Sequence, residues 1–116
     1  MKRYIALLTL LFTLSIGSQI FAFDTTFSNK TDKYVVLNLR AGKNYEQEIA
    51  PGQTHTFKTA GCLDKVVRYK ISPRKFNPKL SYQTQTVAFS STDICRNSAF
   101  TMTYNQSDKT IVFSPQ

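Results

Sequence analysis

The chain is predicted to be all-β: a small antiparallel β-sandwich of immunoglobulin-like type, or a small barrel, of about eight strands with one disulfide. Three features predict this. Apolar and polar residues alternate along most of the chain beyond its N-terminal segment, the period-2 sign of half-buried strands. Turn residues recur about every 8–12 positions, the spacing of short sandwich strands. No window carries the 3.6-residue apolar period of an amphipathic helix. The one helical expectation is a single turn near residues 91–96, where Ser91 or Thr92 would cap Asp93 and Ile94.

In order, a short strand is expected near residues 25–28. Residues 33–40 follow, with Val35, Leu37 and Leu39 on one side and Tyr34, Val36 and Asn38 on the other. A strand apolar on both faces belongs in the interior of its sheet. Ala41-Gly42-Lys43-Asn44 turns the chain into residues 45–49, where Glu46 and Glu48 face one way and Tyr45 and Ile49 the other. Ala50-Pro51-Gly52-Gln53 places Pro and Gly at the two central positions of a type II turn. Residues 54–59 carry His55 and Phe57 on one face. Residues 65–71 turn Val67, Tyr69 and Ile71 inward and Arg68 and Lys70 outward. Residues 82–89 read as a long polar strand, 99–105 as a strand with Phe100, Met102 and Tyr104 inward, and 110–114 as the last, with Ile111 and Phe113 inward. The run Phe27-Ser28-Asn29-Lys30-Thr31, the alternation after it and Pro51-Gly52 together resemble the opening hairpins of small exported bacterial sandwich domains.

The first 22 residues read as a secretory signal peptide of bacterial form, leaving residues 23–116 as one domain. Lys2 and Arg3 open it, an apolar run extends to about Ile16, and Ile20-Phe21-Ala22 supplies a small-residue exit. The run is shorter than the roughly 20 residues that span a bilayer, and Ser and Thr interrupt it. Export to the periplasm or the cell exterior makes Cys62 and Cys95 a structural disulfide. Closing a loop of about 34 residues stabilises the fold by about 3–4 kcal/mol through the unfolded chain. Asn29-Lys30-Thr31 and Asn105-Gln106-Ser107 match glycosylation sequons but are read as turns.

The charge is unevenly placed. Seven cations lie between Lys58 and Lys79 (Lys58, Lys65, Arg68, Lys70, Arg74, Lys75 and Lys79), with Asp64 the one acid among them. The rest of residues 23–116 holds six basic and six acidic side chains. Such an imbalance points to an anionic partner. Residues 72–79 hold two prolines, which remove backbone donors, so an ordered projecting loop is expected there. If that loop connects a hairpin, Arg68 and Lys70 lead along one face to Arg74, Lys75 and Lys79 at the tip, with Phe76 among them as an apolar anchor.

Catalysis has little to build on. His55 is the only histidine, so a Ser–His–Asp arrangement or a histidine metal site must use it. No serine sits in a GxSxG elbow, and the two cysteines lack CxxC spacing. The Glu46 and Glu48 pair is read as a solvated strand face. No cofactor or metal is expected. The expectation is a non-enzymatic binding protein that docks an anionic surface: phospholipid head groups, lipopolysaccharide or another glycan. Peripheral membrane contact is included in that expectation. Nucleic acid ranks last, because most aromatics fall at inward-facing positions. The alternative is a protein–protein module (an inhibitor, adaptor or secreted effector) using residues 82–89 as an edge for strand addition.

Overall fold

The computed structural model describes residues 22–116, so the expected leader, but for Ala22, lies outside the described residues. Eight strands follow one another: β1 (Phe23–Asn29), β2 (Tyr34–Arg40), β3 (Asn44–Ile49), β4 (Thr54–Thr59), β5 (Val66–Ser72), β6 (Gln85–Ala88), β7 (Ser98–Asn105) and β8 (Thr110–Pro115). They form two four-stranded sheets, β4-β1-β7-β8 and β3-β2-β5-β6, packed as a sandwich. No helix occurs among the described residues. In place of the expected helical turn at 91–96 the chain bends around a single bridge, in which Ile94 and Leu63 exchange both backbone hydrogen bonds at 2.8 Å.

Pairing is antiparallel except between β1 and β7, which run parallel. That pair joins distant parts of the chain, and local alternation carries no information about it. The expected interior place of residues 33–40 is where β2 lies, between β3 and β5. The expected strand over 82–89 shortens to Gln85–Ala88. Tyr82 stays in the preceding loop because its hydroxyl accepts the Asn77 N–H at 3.1 Å.

Phe27 fills the centre of the sandwich with no exposed surface. Its ring meets those of Phe57, Phe89, Phe100 and Phe113 at centroid distances of 5.9, 6.4, 5.4 and 6.0 Å. These offset and edge-on contacts add to simple area burial. Tyr69 is buried as well, and its hydroxyl links the sheets. It donates to Gln85 Oε1 at 2.9 Å and accepts the N–H of Ile111, on the opposite sheet, at 3.0 Å. Burial pushes its pKa above the ordinary 10.0, and the Ile111 N–H pulls part of the way back.

Each end of the sandwich has its own closure. At one, Cys62–Cys95 joins the β4–β5 and β6–β7 crossovers beside the Leu63–Ile94 bridge. At the other, the wholly buried Asn29 organises the β1–β2 crossover. Its Nδ2 donates to the carbonyls of Lys33 and Ile49, and its Oδ1 accepts both the N–H and the hydroxyl of Thr31. The first sequon therefore has no free amide in the folded protein. The Pro51-Gly52 turn closes with Gln53 N–H donating to Ala50 O at 3.0 Å, and Gly52 adopts φ +78.

Candidate functional site

An extended strand advances about 3.3 Å per residue and alternates its side chains between faces. The seven-cation run is therefore dispersed. Lys58 sits on β4, in the opposite sheet. Lys65 precedes β5 at the disulfide end, and roughly 23 Å of strand separates it from Ser72. Arg68 and Lys70 occupy the outer face of β5, two residues apart. Arg74, Lys75 and Lys79 lie in the β5–β6 connection and are all exposed. The pairing of β5 with β6 is the antiparallel hairpin the expected site needs.

The connecting loop, residues 73–84, is held by its own polar groups. Ser72 Oγ accepts the Arg74 N–H, and Asn77 takes the backbone N–H groups of Lys79 and Leu80 through its side chain and its carbonyl. Glu48 Oε1, on β3, accepts the Phe76 N–H at 2.9 Å. This last bond folds the loop back toward the outer face of the β3-β2-β5-β6 sheet. The loop is ordered, but it lies over the sheet as well as at its end.

That folding changes the part played by Phe76. Its ring is half-buried, edge-on to Tyr82 at a centroid distance of 4.7 Å. Leu80 is the apolar side chain left projecting, 61% exposed. Sequence reasoning passes over it because it belongs to no alternating run. Glu48, read from the sequence as part of a solvated strand face, instead holds the loop through its carboxylate. The signal was present in two carboxylates two residues apart on one strand face, but their partners come from elsewhere in the fold.

Charge pairing is sparse. Among the described residues the only ion pair is Asp32–Lys33, at 3.7 Å. Arg68, Lys70, Arg74, Lys75 and Lys79 have no carboxylate within that reach. His55 rests edge-on against Phe57, with centroids 4.6 Å apart. Among the described residues no group of three or more His, Cys, Asp and Glu side chains converges to hold a metal. Among the described residues there is no helix long and apolar enough to cross a membrane.

With this geometry in view, comparison with known proteins adds nothing: no family model matches the chain, and no curated protein or solved structure is significantly similar to it.

Proposed function

We propose that this is an exported, non-enzymatic binding protein that docks on an anionic surface, phospholipid head groups first among them. What supports this most is one concentration of charge: Arg74, Lys75 and Lys79, all exposed and without acid partners, on a single ordered loop. Arg68 and Lys70 extend the field along β5. Each cation near an anionic membrane contributes about 1 kcal/mol. Leu80, beside Lys79, supplies an apolar contact at the interface. The disulfide agrees with an oxidising compartment outside the cytoplasm.

Co-sedimentation with phosphatidylglycerol and phosphatidylcholine vesicles tests this. Binding is expected to anionic vesicles only, weakening as salt shortens the Debye length to about 8 Å. Equal binding to both vesicle types, or to neither, defeats the proposal.

A protein–protein role through strand addition is the second reading, favoured by the position of β6 at the edge of its sheet. It predicts a complex that survives moderate salt and is lost when a proline is placed in β6.

A further inference from the structure

The outer face of the β3-β2-β5-β6 sheet carries its charges in register. Across β3, β2 and β5, Glu46 stands opposite Asn38, which stands opposite Arg68. One step along, Glu48 stands opposite Val36, which stands opposite Lys70. Directly paired residues share a face, so each row reads acid, neutral, cation. Two strand spacings set the acid and cation backbones about 10 Å apart. The opposed charges do not meet, since the only ion pair among the described residues lies elsewhere.

Loop 73–84 turns this dipolar face into a groove. A cavity of about 540 Å³ lies between the sheet residues Glu46, Glu48 and Lys70 and the loop residues Phe76, Leu80 and Tyr82. A second groove, which Arg68 lines, shares Glu46 and Lys70 with the first. The two grooves therefore adjoin. Glu48 spends one oxygen on the Phe76 N–H, which fixes its carboxylate and leaves acceptor capacity over.

A simple anion entering this groove meets two carboxylates, and a simple amine meets two cations. A ligand that brings both charges satisfies both walls. The two walls are only two strands apart, so a ligand that reaches both carries its cationic and anionic groups on one short skeleton and meets each wall with charge-assisted hydrogen bonds. A phosphate and an ammonium joined through two carbons form such a skeleton. We infer that the groove binds the phosphoethanolamine group, its ammonium against Glu46 and Glu48 and its phosphate against Lys70 and Arg68. A primary ammonium suits the carboxylates because it donates three hydrogen bonds, which a trimethylammonium cannot. The inference rests on the proposed function only in giving the β5 cations a phosphate to hold.

The test is an NMR titration of the isotope-labelled, oxidised protein with phosphoethanolamine, phosphocholine, ethanolamine and inorganic phosphate. Phosphoethanolamine is expected to shift the amides of Glu48, Lys70 and Phe76 and to bind about tenfold more tightly than the other three, the value of one good charged contact. Glu48→Gln keeps an acceptor for the Phe76 N–H, so the loop stays in place while affinity falls about tenfold. Lys70→Gln is expected to lose as much. Equal affinity for phosphate alone, or unchanged affinity in both folded variants, overturns the inference.

Vesicles containing phosphatidylethanolamine separate the sources. Retention on them assigns the group to a lipid, and a response to the soluble compound alone assigns it to a free or glycan-borne ester. Phosphatidylglycerol binding without the phosphoethanolamine response removes the groove ligand alone. The response without phosphatidylglycerol binding removes the anionic-surface proposal alone.

Discussion

Replacing Asn29 with alanine is expected to cost about 3 kcal/mol of stability, a large share of the 5–15 kcal/mol that holds a domain of this kind together. The side chain has no exposed surface and makes four hydrogen bonds. Two of the groups it serves keep other partners: the Lys33 carbonyl still receives the Thr31 hydroxyl at 3.1 Å, and that hydroxyl still accepts the Lys33 N–H at 3.0 Å. The buried Thr31 N–H and the Ile49 carbonyl are left without the amide. Each such loss costs about 1–3 kcal/mol, so the pair accounts for about 2–6 kcal/mol. The backbone of Asn29 also bonds Gln53 and Gly52 at 2.8 Å, so the damage reaches the β3–β4 turn. Urea unfolding with the disulfide intact measures the change: the midpoint is expected to fall while the slope stays constant. Asn29→Asp keeps the acceptor, loses both donations and buries a charge, so it is expected to cost at least as much. A loss under about 1 kcal/mol for alanine refutes the claim that this amide organises its end of the sandwich.

Three further outcomes follow from the packing. Because burial raises the Tyr69 pKa, its contribution to stability is complete below about pH 10 and is lost as pH rises through the higher folded-state value. Wild type is therefore expected to lose stability faster than Tyr69→Phe above pH 10 in parallel urea titrations, while the variant is weaker by about 1–3 kcal/mol at neutral pH because the Ile111 N–H is stranded. Replacing Cys62 and Cys95 together by alanine is expected to cost about 3–4 kcal/mol in chemical denaturation, the loop-closure entropy of a 33-residue separation. Gly42→Ala should cost more than Gly52→Ala by thermal unfolding. Both glycines have positive φ, worth about 1–2 kcal/mol, but an added methyl at Gly42 also meets Ala60 and Gly61 backbone at 3.2 Å, whereas Gly52 has open space.

The strands were legible because one face of each is buried, and a period of two leaves its mark in the local sequence. Val35, Leu37 and Leu39 announce β2, and the buried Val36 on its other face marks the side that loop 73–84 partly covers. The end of β6 was not legible, since Tyr82, Gln83 and Thr84 suit a strand and are kept out of it by the bond from Asn77 to the Tyr82 hydroxyl. The parallel β1–β7 pairing was equally hidden, because it depends on contacts far apart in the chain. Candidate cations could be named from the sequence, but their grouping could not. Neighbours along an extended strand part by several ångströms each, so Lys58 and Lys65 fall away from Arg74. Glu46 and Glu48 join the cations only through the register of three strands, which no window of sequence contains.

The central claim is that position, not net charge, makes the loop a docking surface. Two triple variants of equal net charge decide it: Arg74→Glu, Lys75→Glu, Lys79→Glu in the loop, and Lys58→Glu, Lys65→Glu, Arg96→Glu on exposed positions elsewhere. Both are sedimented with phosphatidylglycerol vesicles at physiological salt. The loop variant is expected to lose more than about 100-fold in affinity, three contacts at about 1 kcal/mol each plus new repulsion, while the distal variant stays within about fivefold of wild type. Equal losses from both, or none from either, contradict the claim.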